Sequence, residues 1–325
     1  MAPLTWLGRR LLGGATTVAI VVTIVFTLIH AAPGSPLTTL DDHQLPPEIA
    51  ERVRRDFGLD RPVLVQYGQW LSRVAQGDLG VSLSQQRPVR AILAAALPHT
   101  LLLAAAAIVL MLTLGVGIAL LQAARPRSAR DRVLSLVSVT LFSTPVFWLG
   151  AMLLAAFAIG TGWFPPGGAR DVTLASDALW LTLAADRLYH LVLPALTLGL
   201  AGAGLIARYK RTALLDVLAM DYIRTARAKG LSPRAVLWRH ALPNALLPTI
   251  TLLGLIAPAL LSGAVLVETV FAWPGMGRVT ADAILRRDYP VVAGATLVAA
   301  VLVVLSTIAA DALTRWADPR TRGTA

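Results

Sequence analysis

Six stretches of this chain contain no Asp, Glu, Lys or Arg: 11–40, 91–124, 133–169, 188–207, 240–267 and 289–310. A helix needs about 20 apolar residues to cross the hydrocarbon core of a bilayer, and each stretch is at least that long. In lipid every backbone N–H and C=O must find a partner within its own segment, so each stretch predicts a membrane-spanning helix. The spans are placed at 11–31, 99–123, 134–160, 188–207, 245–269 and 291–314. A shorter apolar piece, 178–185, is too short to span and is expected at an interface. Composition agrees: only 14% of the 325 residues are charged, about half of what a water-facing surface carries.

Arg9 and Arg10 precede the first stretch, as in a signal peptide. The apolar run exceeds the 7–15 residues of a signal core and no small-residue cleavage site follows, so a retained first helix is expected.

The net charge of +11 is unevenly placed. The N-terminus, loop 125–132, loop 208–239 and the tail hold 17 basic residues against four acids, whereas the alternate segments hold 12 of each. The positive-inside rule then puts both termini in the cytoplasm. The basic excess therefore reflects topology, and nucleic acid is not an expected partner. A basic helix–turn–helix fits no better, because about 35 residues tied to lipid at both ends leave no room for that fold.

Segment 33–98 lies outside and carries its own helical pattern. Val63, Leu64, Tyr67, Trp70, Leu71 and Val74 share one helix face, with a start at Asp60-Arg61-Pro62 and a stop at Gly77. Pro46-Pro47 opens a shorter helix ending near Phe57-Gly58. The segment is either a cap on the membrane domain or a docking surface.

On the basic side, 212–229 reads as a helix ended by Gly230. Ser232-Pro233 starts a second helix, with Ser as N-cap and Pro at the first helical position, running to about Ala241 before Pro243. Leu231, Val236, Leu237 and Trp238 give that short helix more apolar area than a free loop tolerates, so a partner surface is expected.

Several chemistries are excluded. The chain has no cysteine, no His-Glu-x-x-His, no Gly-x-Ser-x-Gly and no phosphate loop, and its two lysines, Lys210 and Lys229, do not follow a glycine. No catalytic pair lies in the six stretches. That disfavours a membrane enzyme, and among ionisable residues only Glu268 and Asp311 approach the membrane interior, which disfavours a stand-alone, proton-coupled secondary carrier. Hydroxyls at Ser143 and Thr144 beside Pro145, with Thr249, Thr251 and Glu268, are the candidates for a translocation path, unless they serve helix packing or, for Glu268, gate or hold an external loop.

The run from Tyr222 through Arg224-Thr225-Ala226 to Gly230-Leu231-Ser232-Pro233, then His240, Leu242-Pro243-Asn244, resembles the coupling loop of ABC importer permeases. That pattern is Glu-Ala-Ala, three residues, Gly, nine residues, Ile, one residue, Leu-Pro. Ala226, Gly230, Leu242 and Pro243 match; Arg224, Thr225 and His240 depart, and the run from Tyr222 to Leu231 has the form that the oligopeptide/dipeptide (peptide/nickel) branch uses. Glu268-Thr-Val-Phe-Ala-Trp-Pro-Gly-Met-Gly277, Arg287-Asp288-Tyr289-Pro290, Pro33-Gly34, Gly58 to Pro62, Gly77 to Gly80, Thr144 to Trp148 and Asp318-Pro319-Arg320 are similar to the same branch, of its first-permease type.

The resemblance implies an all-α membrane protein with the type I ABC importer transmembrane fold. Its parts would be a cytoplasmic N-terminus and first span at 1–32, an external helical segment at 33–98, a permease core at 99–315 with the cytoplasmic coupling loop 208–244, and a tail at 316–325. It further implies a non-catalytic, multi-pass subunit of a bacterial cytoplasmic (inner) membrane importer, for peptide or alternatively for glutathione or a nickel chelate. Implied partners are a second homologous permease, two ABC ATPases and an external binding lipoprotein or periplasmic protein. ATP and Mg would sit on the ATPases, with no cofactor in this chain. Ala226, Gly230, Leu231, Ser232, Pro233, Val236, Leu237, His240, Leu242 and Pro243 would form the ATPase-coupling element.

Overall fold

The computed structural model describes residues 3–31, 61–175 and 179–317. Every regular element among them is a helix; the one β contact is an isolated bridge between Val81 and Pro88. In chain order they are α1 (Pro3–Ala31), α2 (Val63–Ala75), α3 (Val89–Ala123), α4 (Ala129–Ser143) and α5 (Val146–Gly160, π-helical from Leu154). Then come α6 (Trp180–Leu218), α7 (Asp221–Ala228), α8 (Pro233–Asn244), α9 (Leu247–Leu261), α10 (Val265–Val270), α11 (Met276–Leu285) and α12 (Tyr289–Ala317).

Helices α1, α3, α6 and α12 are each long and apolar enough to cross a bilayer unbroken. Two bent pairs, α4 with α5 and α8 with α9, bring the number to six where each pair is counted as one span. The third expected span, 134–160, is not one straight rod: α4 and α5 meet at 104°. Pro145 causes this, because its ring drives the preceding Thr144 into extended backbone (ψ 128°), where a helix cannot continue. The fifth, expected over 245–269, stops at Leu261 and restarts as α10, with Gly263 between them at φ +112°. The expected helix 212–229 is likewise divided at Ala219-Met220.

Two boundaries move. The interfacial piece expected over 178–185 instead supplies, from Trp180, the first turns of α6. Asp186 and Arg187 interrupt the apolar window without interrupting the helix, since charge ends hydropathy and not backbone hydrogen bonding. Helix α3 begins at Val89, not near 99, and runs on through Pro98. The helix expected after Pro46-Pro47, the Pro33-Gly34 motif and the tail motif at Asp318 lie outside the described residues.

Packing follows the small residues, as lipid offers no hydrophobic drive between spans. Helices α3 and α6 pair most extensively. Gly115 and Gly199 make that approach possible: a Cβ added there would stand 2.7 Å from Ile206 and 2.6 Å from Leu110. Helix α4 lies on another face of α6, and α12 packs on both α1 and α9. Arg10 pairs with Asp311 at 2.9 Å and Arg315 stacks over Trp6, so the first helix's start and the last helix's end share one end of the bundle. Helix α2 starts and stops where its pattern predicts, with Gly77 in the left-handed region. Its Tyr67 and Trp70 rest on Phe26 of α1, and the Tyr67 hydroxyl bonds Thr23 at 2.6 Å.

Candidate functional site

The residues 208–249, rich in Arg, form one welded unit at the basic end of the bundle. Helix α7 ends in a Schellman turn: Gly230 N–H donates to Arg227 O at 2.9 Å and Leu231 N–H to Ala226 O at 3.4 Å. Gly230 takes φ +79°, a backbone state that only glycine enters at no cost. Ser232 then caps α8, its hydroxyl accepting from Ala235 N–H at 3.3 Å, with Pro233 in the first turn. From Val236 to Ala241 the helix widens to π geometry.

The expectation that the short helix offers all its apolar residues to a partner is corrected. Val236 turns inward onto Ile223 and Ala226, and Leu237 onto Ala119, Leu120, Leu214 and Val217. Both are buried within the chain itself, and Leu231 is half-buried beside Val236. Only Trp238 keeps an outward apolar face, at 58% exposure, amid exposed Arg224, Arg227, Lys229, Arg234 and Arg239. Ser232, Pro233 and Pro243 are exposed, while His240 and Leu242 are half-buried. The π turn and α6 explain the difference: with α6 continuing to Leu218, the short helix has a wall to pack on that sequence windows do not reveal.

Three side chains tie this unit down through six hydrogen bonds, none of which was singled out from sequence. Asn244 donates from Nδ2 to His240 O at 2.8 Å and to the Tyr222 hydroxyl at 3.0 Å, joining the end of α8 to α7. Lys210 on α6 donates from Nζ to Ala245 O at 2.7 Å and to Thr249 Oγ1 at 3.3 Å. Arg211 grips Asp131 with two nitrogens, holding loop 125–132 against α6. The scarcity of lysine was the one sequence signal available for Lys210.

The candidates for a translocation path do not converge. Thr140, Ser143, Thr144, Pro145, Phe147 and Trp148 line a concavity of about 530 Å3 at the α4–α5 elbow, so three candidates share one hollow. Thr249, Thr251 and Glu268 do not border it. Thr249 is buried under Lys210, and Thr251 is on an exposed face of α9.

Glu268 is fully enclosed at the far end of the bundle. Its Oε1 accepts from the Thr100 hydroxyl at 3.0 Å and its Oε2 from Arg278 N–H at 2.9 Å. Thr100 Oγ1 in turn accepts from Met276 N–H at 2.7 Å. The carboxylate thus sits on the first turn of α11, where unpaired N–H groups favour negative charge. It fastens loop 271–278 to α3, and Trp273, fully buried, adds an indole bond to His99 O at 3.0 Å. Alongside, Asp288 is enclosed by the 82–84 turn, accepting from Ser82 Oγ at 2.5 Å, Ser84 Oγ at 2.7 Å, Ser84 N–H at 3.0 Å and Leu83 N–H at 3.2 Å. Burial pushes this carboxyl's pKa up, but the serine and backbone donors outweigh it and hold it below the usual carboxylate range. Among the described residues no group of three His, Cys, Asp or Glu is placed to hold a metal ion.

Residues 112–323 match the family described as binding-protein-dependent transport system inner membrane component, and residues 3–104 match its N-terminal companion. The oligopeptide transport system permease protein AppB of Bacillus subtilis is 39% identical, over 96% of this chain and 97% of its own length. The di/tripeptide transport system permease protein DppB of Pseudomonas aeruginosa is 39% identical, over 98% and 99%. The glutathione transport system permease protein GsiC of Salmonella choleraesuis is 36% identical, over 98% and 99%. Among solved structures, the MetNI methionine ABC transporter in inward-facing conformation aligns with a TM-score of 0.53 at 18% identity, over 70% of this chain and 96% of that one. That likeness is one of fold.

Proposed function

The chain belongs to the family of binding-protein-dependent transport system inner membrane components, and on that footing we propose that it is one of two permease subunits of an ATP-driven importer of short peptides. The observation that carries the peptide reading is near-full-length similarity to AppB and DppB. A tripeptide such as glutathione falls in the same solute class, in keeping with GsiC. The chain is an integral inner-membrane protein, with both termini in the cytoplasm by its charge asymmetry.

In this reading two ATPase subunits, carrying ATP and Mg, receive the α7–Gly230–α8 unit. Trp238 and the surrounding arginines form the contact, while Val236 packs α8 on α7 and Leu237 anchors the unit to the membrane helices. Closure of the ATPases shifts that anchor as a rigid body and rocks the spans between inward- and outward-facing states. An external binding protein delivers solute to a path shared with the second permease, and the α4–α5 elbow at Ser143, Thr144 and Pro145 is its lining in this chain. The subunit itself carries out no bond chemistry.

The test is reconstitution. Proteoliposomes with this chain, its paired permease, the ATPases and the binding protein should take up labelled trialanine only with ATP. Uptake by this chain alone would overturn the subunit reading in favour of a self-sufficient carrier.

A further inference from the structure

One face of α6 carries a buried stripe at 203, 207, 210, 214 and 217, alternating by four and three residues as a helix core does. Ala, Ala, Leu and Val fill four of these places. The fifth holds Lys210, 1% exposed. Burying an ammonium costs several kcal/mol unless it is compensated, and among the described residues no carboxylate pairs with it.

Its compensation is directional instead. The carbonyl of Ala245 is one of the unpaired acceptors at the C-terminal end of α8, where the helix dipole favours a cation. The Thr249 hydroxyl belongs to the first turn of α9. One charge on α6 therefore reads the end of α8 and the start of α9 together. An apolar residue at 210 would fill the stripe but would accept neighbouring registers of α8 and α9. A buried polar group accepts only the register that satisfies it. The adjacent residue, Asn244, is tied to α7 through Tyr222, so two neighbouring positions of the junction are each held by a side-chain hydrogen bond.

We propose that Lys210 is the positioning residue that holds α6, α8 and α9 in one register, so that displacement of α8 moves α9 rather than bending the chain at 245–249. This rests on the importer reading above, and the experiment separates the two. The importer complex is prepared with Lys210→Met, which keeps length and removes charge, and separately with Thr249→Val, which removes one acceptor and leaves no charge stranded. Two readouts are taken: trialanine taken up per ATP hydrolysed, and hydrogen exchange of 245–252 in nucleotide-free and vanadate-trapped complexes.

In the parent complex 245–252 should be equally protected in both states. In Lys210→Met the nucleotide-free complex should keep its protection, the trapped complex should lose it, and uptake per ATP should fall about tenfold, within the range of ordinary coupling energies. Thr249→Val should show a smaller fall. An unchanged uptake-to-hydrolysis ratio overturns the proposal, and so does equal loss of protection in both states, which would mark mere packing. Where Lys210→Met does not assemble, Thr249→Val decides on the same criteria. A parent complex that hydrolyses ATP without taking up peptide counts against the importer reading alone, since the exchange readout needs no solute.

Discussion

Asp131 receives two nitrogens of Arg211, at 2.8 and 2.7 Å, across eighty residues of sequence, while also accepting from Arg127 N–H at 2.8 Å. The Asp131 side chain is 3% exposed and that of Arg211 29%. Breaking a fully buried pair costs about 3–5 kcal/mol; with one partner half-wet, Asp131→Asn should cost about 2 kcal/mol. Thermal unfolding of the detergent-purified chain, followed by tryptophan fluorescence, measures this. Adding Arg211→Gln should recover part of that loss, because it removes the charge that the first substitution strands.

The clasp on Asp288 sets a pH dependence. Its folded pKa is depressed, so its contribution is fully present above the unfolded carboxylate value and is lost as pH falls through the lower folded one. Hydrogen exchange at 82–84, corrected for intrinsic rate, should be flat from about pH 8 to about pH 5 and rise below about pH 4. Asp288→Asn should raise it throughout.

Gly275 leaves no space beside Glu268: an added Cβ would stand 2.4 Å from the carboxyl carbon. Gly275→Ala should therefore destabilise by about 1–3 kcal/mol, as overpacked cores do. Glu268→Ala on its own also destabilises, by uncapping α11. The double variant should be milder than the two costs added, because removing the carboxylate removes the clash. Surviving monodisperse protein after graded heating reads all three; strict additivity would contradict the geometry.

At Gly230 the added Cβ meets nothing within 4 Å, so substitution there is a matter of backbone alone. Gly230→Asn should be tolerated, since Asn enters the left-handed region at modest cost. Gly230→Val should cost about 1–2 kcal/mol locally or unwind the turn. In the reconstituted importer, Gly230→Val should insert normally yet hydrolyse ATP with little uptake, while full transport would refute a fixed turn.

Features that live within a few residues could be read in the sequence. The apolar windows locate the spans, Arg61-Pro62 and Gly77 bound α2, and Gly230 and Ser232-Pro233 mark the turn between α7 and α8. What could not be read depends on distant partners. Nothing near Val236 or Leu237 announces that α6 runs on to shelter them. Glu268 looks like a helix-end carboxylate until Thr100 and the Arg278 N–H, 168 and 10 residues away, close around it. The 104° elbow was half visible: Pro145 announces a break, but its angle is set by how α4 and α5 lie on α6.

Because Val236 and Leu237 are sunk between α7, α6 and α3, the short helix is not an arm hung on a flexible loop. On the coupling role proposed above, a push on exposed Trp238 would pass to the bundle through packed side chains rather than through a slack tether.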